Sequence, residues 1–209
     1  MKLKPIGQAD LEALVELTTR RFGKKKEETY TVLTEGVENG EALLRINLQA
    51  QLALLMEKGW GWALEDDRGC LFGYFRHQEG RAKLSLPRLL RLQREMMGAL
   101  TKEGQKRVKQ NGKKLNLKNL SAWRKRVCKG PYYYVNILCI DESLKGSGAF
   151  RTLITPALRR ADRLGIPVLL DTFDEHNVQI YEHFGFQTVE KKDCGAGLTL
   201  HGMMRPPED

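Results

Sequence analysis

The sequence predicts an α/β fold, and three patterns carry that prediction. Residues 60–64 and 70–76 have the composition of two strands and flank the charged turn of a β-hairpin. Residues 132–140 form a continuous aromatic and β-branched run, which is typical of a strand buried on both faces. An amphipathic helix over residues 150–164 and a second buried strand over residues 166–171 follow. Strands separated by an amphipathic helix indicate a sheet that is covered by helices.

Local signals predict the remaining elements. The first half predicts a helix capped by Asp10 and a longer helix over about residues 39–58, with Gly59 as its left-handed cap. Residues 102–118 are polar and contain two glycines, which indicates a helix end followed by a mobile loop. The segment after residue 185 fits a closing antiparallel pair of strands.

The basic residues are concentrated in one part of the chain. The 209 residues suit a single domain spanning residues 1–209, because domains mostly contain about 100–200 residues. Residues 81–130 contain 16 basic and two acidic side chains, whereas the rest of the chain is mildly acidic. We interpret residues 81–130 as a basic insertion between two strands. Its charge is compatible with a solvated helical surface, a site for an anionic ligand or a nucleic-acid contact.

The composition disfavours several classes of protein. The N-terminal residues lack the apolar region of a secretory signal, and no apolar run approaches the roughly 18 residues of a membrane span. The four cysteines are scattered, without the CxxC pair that would indicate a zinc site. We therefore expect a cytoplasmic protein with reduced cysteines, no bound metal and no membrane partner.

A turn with the layout of an anion site follows the strand of residues 132–140. It reads Lys145-Gly146-Ser147-Gly148-Ala149-Phe150 and leads into the amphipathic helix. The free amides at a helix N-terminus point towards a phosphate, and glycines let the backbone approach it closely. The segment is neither a P-loop nor a GxGxxG motif, so an ordinary strand-to-helix turn is the alternative.

Residues 132–189 resemble the GNAT superfamily of acyl-CoA-dependent N-acetyltransferases. The matching pieces are the strand 135–140, the turn just quoted, the helix 151–164, the strand 166–172 and the ending Asn177-x-x-x-Tyr181-x-x-x-Gly185-Phe186. Within the superfamily, the segments 153–158 and 169–172 look like the puromycin N-acetyltransferase-like branch. The resemblance implies a GNAT fold, with a mixed, mostly antiparallel central sheet flanked by helices. The basic insertion then lies between the third and fourth strands.

The resemblance also implies a site for acetyl-CoA as acyl donor. Amides of the fourth strand would bind the pantetheine arm and stabilise the oxyanion of a tetrahedral intermediate, and the turn would hold the pyrophosphate. Asn177 would hydrogen-bond the pantetheine, and Tyr181 would be the general acid for the leaving thiolate. A helix N-cap and a core aromatic are the alternative roles of these two residues. The implied donor-binding residues are Leu138, Cys139, Ile140, Lys145, Gly146, Ser147, Gly148, Ala149, Phe150, Arg151 and Asn177.

Two positions of the turn depart from the family pattern R/Q-x-x-G-x-G/A. Lys145 replaces arginine or glutamine, and a lysine still attracts a phosphate as a point charge. Phe150 replaces the last small residue, so its ring either enters the core or narrows the phosphate pocket. The second outcome would weaken the binding of CoA.

The general base is not identified by the sequence. Tyr134 stands where histone-type relatives carry a glutamate. An amine that arrives deprotonated through water needs no dedicated base. The candidate bases are Asp171, Glu142, His176, His183 and His201.

These observations predict transfer of an acetyl group from acetyl-CoA to an unidentified amine, by direct attack in a ternary complex. The insertion is expected to shape the acceptor site or to bind an anionic acceptor through Lys113, Lys114, Lys118, Arg124 and Lys125, and Trp123 to form a satellite core. A homodimer is compatible with the resemblance. One alternative is a catalytically weak CoA-binding or regulatory protein, which Phe150 motivates. Another is a nucleic-acid-associated module, which the lack of clustered aromatic residues in the insertion disfavours.

Overall fold

The computed structural model describes residues 1–25, 28–76 and 83–208, so the first two residues of the predicted insertion, 81 and 82, lie outside the described residues. The strands are β1 (Leu3–Pro5), β2 (Trp60–Leu64), β3 (Gly69–Phe75), β4 (Tyr133–Ile140), β5 (Val168–Thr172), β6 (Gln187–Asp193) and β7 (Thr199–Arg205). The helices are α1 (Leu11–Gly23), α2 (Thr29–Leu33), α3 (Gly40–Lys58), α4 (Leu86–Gly98), α5 (Lys102–Gly112), α6 (Ala122–Val127), α7 (Ala149–Arg163) and α8 (Glu175–Glu182).

The strands form one mixed sheet in the order β1-β2-β3-β4-β5-β7-β6. Neighbouring strands run antiparallel, except for β4 and β5, which run parallel and are connected by the crossover helix α7. Helices α4 to α6 lie between the third and fourth strands. The predicted mixed, mostly antiparallel sheet with helices and an insertion at this place is therefore confirmed.

Helices cover both faces of the sheet. On one face, Leu71 and Leu170 of the sheet pack against Leu153 and Ile154 of α7. On the other face, α1 and α3 cover β2, β3 and β4, where Phe72 belongs to the buried cluster. The two faces thus have separate apolar cores, and burial of these side chains is the main stabilising contribution to the fold.

The insertion covers the rest of the second face. Trp123 of α6 packs with Tyr132, Tyr134, Leu169 and Leu200 in a third buried cluster beneath β4, β5 and β7. Meanwhile α4 contacts α3, and α5 contacts α2. Trp123 is therefore the centre of a satellite core, as we predict from the sequence. Among the described residues, no helix combines the length and the hydropathy that a membrane crossing requires.

The polar segment 102–118 folds differently from the prediction of a helix end and a mobile loop. Most of it is the regular helix α5, which Thr101 caps by accepting a hydrogen bond from the Gly104 amide (3.1 Å). The buried side chain of Asn111 donates to two backbone carbonyls at the C-terminal end of α2. These tertiary contacts outweigh the low helix propensity of the glycines, and the local composition does not reveal them.

Gly59 is also not the left-handed cap that the sequence predicts. Its φ is −99°, in the extended region. A Cβ at this position would lie 2.5 Å from the carbonyl oxygen of Gly73 and 2.7 Å from that of Leu55. The glycine is required because two backbone segments approach each other here, rather than because of a positive φ.

A second close approach joins the insertion to the last strand. Trp123 is 1% exposed, and its indole ring lies directly over the backbone of Gly202 in β7. A Cβ at Gly202 would lie 2.6 Å from the nearest atom of that ring, which is closer than van der Waals contact allows. The lack of a side chain in β7 therefore makes room for the insertion to dock.

We expect Gly202→Ala to lower the free energy of unfolding by about 1–3 kcal/mol, because the added methyl group forces Trp123 from its pocket. Gly130→Ala is the matched control, since a Cβ there meets no atom of the described residues within 4 Å. Urea titrations of both variants, followed by tryptophan fluorescence, measure the difference. Equal stability of the two variants would show that α6 does not depend on this contact.

Candidate functional site

The central feature of the molecule is a gap between β4 and β5. The two strands pair only from Tyr133–Val135 to Val168–Leu170, and beyond these residues they separate. A groove of three connected parts runs through the gap, with volumes of about 510 Å³ at the turn after β4, 120 Å³ in the middle and 160 Å³ at the far end. The C-terminal end of α1 and the helix α8 form its walls.

The wide end of the groove is built by the glycine turn that the sequence singles out. Gly146 and Gly148 have φ values of +77° and +83°, in the left-handed region that glycine adopts without strain. A Cβ at either position would meet no atom within 4 Å, so the backbone borders open space. Lys145 is exposed and lines the same end of the groove.

Some of the turn amides already have partners. The amide of Ser147 donates to the carbonyl of Leu144 (3.1 Å), and that of Ala149 donates to the Ser147 hydroxyl (3.4 Å). Within the described part of the chain, the other predicted donors at the start of α7 form no hydrogen bond, and they remain available to an anion. These are the amides of Gly146, Gly148, Phe150 and Arg151.

Phe150 turns its ring away from the anion-binding backbone. The ring packs against Tyr181 at a centroid distance of 5.5 Å and against Phe184 at 5.0 Å. It therefore joins the side wall of the groove and belongs to the edge of the first apolar core. The guanidinium of Arg151 lies over the ring of Phe184 (5.1 Å), next to the free amides.

The middle of the groove is bordered by β4. The Asp141 amide donates to the Arg68 carbonyl (2.8 Å), on the side of β3. Successive amides of a strand face opposite edges, so the amides of Ile140 and Leu138 face the edge towards β5. The described pairing of β4 with β5 does not extend to these two residues. The thiol of Cys139 instead lies in the core under α1 and α3, where burial raises its pKa to about 12.

Helix α8 brings Asn177 and Tyr181 to the groove. The N-cap of this helix is Asp174, which accepts a hydrogen bond from the His176 amide (2.9 Å), so Asn177 is not the cap. Its side-chain amide lies 3.4 Å from the hydroxyl oxygen of Thr172 and borders all three parts of the groove.

Tyr181 is 8% exposed, and its ring packs between Phe150 and Phe186 while the residue borders the middle and far parts of the groove. Burial raises the pKa of its phenol well above the ordinary value of 10.0, and Asp174 acts in the same direction. The phenol is therefore held in its protonated form. A protonated phenol beside the groove is suited to donate a proton.

Sequence reasoning does not identify the cationic wall of the groove. Arg21 lines its wide and middle parts and pairs with Glu142 (3.2 Å), while Lys25 lines all three parts and lies 3.4 Å from Asp174. In the sequence these residues belong to a charge run at the end of α1. Only the position of α1 beside β4 shows that this run faces the groove.

Asp171 lies at the far end of the groove and is held by three donors. One carboxylate oxygen accepts from the Trp123 indole (2.8 Å), and the other accepts from Arg124 (2.7 Å) and from the Tyr134 phenol (2.7 Å). Arg124 is itself buried, lies 3.5 Å from the centroid of the Tyr134 ring and donates to Tyr74 (2.9 Å). Two residues of the insertion thus contact Asp171, which lines the end of the groove.

The other candidate bases are less well placed. Glu142 is exposed and paired with Arg21, and His183 ends α8 outside the groove. His176 borders the wide end. His201 is buried beneath α8, where burial lowers its pKa below 6.5, and neither ring nitrogen has a hydrogen-bond partner among the described residues.

Comparison with known proteins agrees with this geometry. Residues 120–205 match the family model of the acetyltransferase (GNAT) domain. The chain is 33% identical over 79 residues to an uncharacterized N-acetyltransferase of Schizosaccharomyces pombe, an alignment that covers 36% of this chain. The chain spans about a third (32%) of the length of that curated relative.

Solved structures resemble the whole chain. A histone acetyltransferase HPA2 and related acetyltransferase from Corynebacterium glutamicum aligns with a TM-score of 0.61 at 16% identity, covering 100% of this chain and 97% of its own. Arylalkylamine N-acetyltransferase 2 from Aedes aegypti aligns at 0.58 and 15% identity, covering 99% of both chains. A NatC complex bound to Gag peptide and CoA aligns at 0.53 and 10% identity, covering 99% of this chain and 98% of its own.

At these identities the structural likeness shows the fold, while the matched domain covers β4, the turn, α7 and α8, but not the α1 wall of the groove. The described residues form the mixed, mostly antiparallel sheet that the resemblance implies. Residues 120–205 therefore match the acetyltransferase (GNAT) domain, and the whole chain has a fold similar to that of the solved acetyltransferase structures.

Proposed function

We propose that this protein transfers an acetyl group from acetyl-CoA to an amine by direct attack in a ternary complex. The observation that carries the proposal is the continuous groove, which connects free amides at the start of α7 with a protonated tyrosine and a carboxylate. The NatC complex similar in fold is bound to CoA, which supports CoA as the donor here. An amine is the acceptor class of the arylalkylamine enzyme of similar fold.

The turn fits the pyrophosphate of the donor. The free amides of Gly146, Gly148, Phe150 and Arg151 converge on open space at the positive end of the α7 dipole. Lys145 adds a positive charge that compensates for the missing arginine of the family pattern. Because Phe150 packs into the side wall, its ring does not fill the space above the glycines.

The middle of the groove fits the pantetheine arm and the thioester. The amides of Leu138 and Ile140 face the gap and supply hydrogen bonds to the arm, and one of them stabilises the negative charge that develops on the thioester oxygen. The amine nitrogen forms a bond to the carbonyl carbon, and the carbon–sulfur bond breaks. Tyr181 donates its proton to the leaving sulfur, and the amine releases a proton to solvent.

Calorimetric titration of desulfo-CoA into the pure protein tests the donor site. We expect micromolar binding that Asn177→Ala weakens by up to about tenfold, which corresponds to the loss of one hydrogen bond. Tyr181→Phe keeps the ring and removes only the hydroxyl group, so it serves as the matched control with nearly unchanged affinity. Absence of binding at millimolar desulfo-CoA would contradict the proposal and favour a role without CoA.

Steady-state kinetics test the role of Tyr181. With an accepted amine, we expect Tyr181→Phe to lower kcat by about 10²-fold, the usual contribution of a general acid, and to leave the KM for acetyl-CoA unchanged. Because the pKa of the phenol is raised above its ordinary value of 10.0, deprotonation of Tyr181 should cause no loss of wild-type activity below that pH. An activity that falls above pH 8.5 in the wild type but not in the variant would assign a lower pKa and a different role to this tyrosine.

A further inference from the structure

The basic insertion contacts the residues of the groove through a largely buried side chain. The sequence instead predicts that its surface charges act on the acceptor. Lys114 pairs with Glu35 (3.0 Å) and Arg126 with Glu190 (2.7 Å), both on the protein surface. Arg124 points inward, where its guanidinium pairs with Asp171 at 2.7 Å and both side chains are largely buried. The charge that the insertion delivers to the groove is therefore already neutralised by a carboxylate.

Asp171 lies in the part of the groove that acetyl-CoA would leave free under the proposed function. The far part of the groove continues past Leu138 and Tyr181 towards Asn136, Thr172 and Asp171. It lies beyond the amides that face the thioester, on the opposite side from the turn. Under the proposed function, this is where the acceptor amine approaches the acetyl group.

Three donors of the described residues bind Asp171, so its carboxylate can accept one more hydrogen bond. A carboxylate accepts about four hydrogen bonds, and Trp123, Arg124 and Tyr134 provide three donors. Its remaining capacity is suited to accept one N–H from a ligand, and its side chain keeps 14% exposure beside the groove.

We propose that Asp171 binds the ammonium group of a cationic acceptor, and that Arg124 of the insertion is the positioning residue that holds Asp171 for this purpose. The stack of Arg124 on Tyr134 and its bond to Tyr74 fix the guanidinium in one orientation. Glu28 and Lys25 also border the far part of the groove, and Lys25 lies 3.4 Å from Asp174. The acceptor class is a compact amine that bears a second positive charge.

This inference rests on the proposed function, and the experiment compares three probes that share a four-carbon chain with one terminal amine. They are 1,4-diaminobutane, butylamine and 4-aminobutanoate, which differ in the charge of the far end. Release of the CoA thiol measures acetyl transfer. We expect kcat/KM to be at least about tenfold higher for the diamine than for 4-aminobutanoate, with butylamine between them. A preference for 4-aminobutanoate would overturn the proposal.

Variants of the network separate recognition from folding. Asp171→Asn should raise the KM for the diamine about tenfold, leave the KM for butylamine nearly unchanged and keep the pH profile of kcat. Arg124→Lys keeps the charge but loses the planar fork, and should raise the same KM. In the double variant the two effects should not add, because Arg124 acts through Asp171. Additive effects, or loss of the acidic limb of the pH profile in Asp171→Asn, would overturn the assignment.

Two controls complete the design. Arg126→Lys changes an exposed arginine of the same helix and should leave every kinetic constant unchanged. Tyr134→Phe removes one donor to Asp171 and keeps the ring under Arg124, so it tests the network if Arg124→Lys fails to fold. Equal kcat/KM values for the three amines would refute cation recognition alone, whereas absence of transfer to all three despite CoA binding would refute the proposed function itself.

Discussion

The structure depends on the short length of the pairing between β4 and β5, which stop pairing partway along the two strands. A parallel pair normally continues its ladder, since an unpaired backbone amide inside a protein is costly. Here the ladder stops after three residues of each strand, and the amides of the rest of β4 face a gap. Every other feature of the groove follows from this separation. α8 lies beside the gap, and the turn after β4 borders its wide end. The ends of the two strands carry different groups, namely backbone amides on β4 and the Asp171 carboxylate on β5.

The separated strands need support, and the three cores provide it from different directions. α7 and α8 hold one face, α1 and α3 hold β4 from the other, and the insertion holds β5 through β7. The third core is unusual because it combines buried aromatic rings with an ion pair. Removal of one partner from such a pair leaves an uncompensated buried charge, so the pair fixes the docking of α6 more than it adds net stability.

The second half of the chain was predictable because its signals are local. The pattern consists of a buried strand, a glycine turn, an amphipathic helix and a second buried strand. All four lie within about 40 residues, so their order alone predicts how they connect. The groove residues Gly146 and Gly148 lie inside this pattern, and Asn177 and Tyr181 follow it in the next helix, α8. The direction of the Phe150 ring could not be read from the sequence, because it depends on Phe184 and Tyr181, which reach it only across the folded core.

The structures of β1 and of the insertion could not be predicted from local signals, because both depend on contacts with distant parts of the chain. β1 contains three residues and forms only because β2 offers it a partner, and α5 is stabilised by contacts with α2. Composition indicated a solvated surface, an anion site or a nucleic-acid contact for the insertion, yet Trp123 is buried and Arg124 is largely buried in an ion pair. A charge count cannot distinguish an arginine in solvent from one that pairs with Asp171 in a core 47 residues further along the chain.

The contact between Trp123 and Gly202 has a consequence for the synthesis of the chain. The surface on which α6 docks is completed only by β7, which is synthesised after β4, β5 and β6. The nascent insertion therefore carries its tryptophan and its basic side chains without their folded environment until β7 has been synthesised. During that interval these side chains are exposed to chaperones and to the negatively charged ribosomal surface.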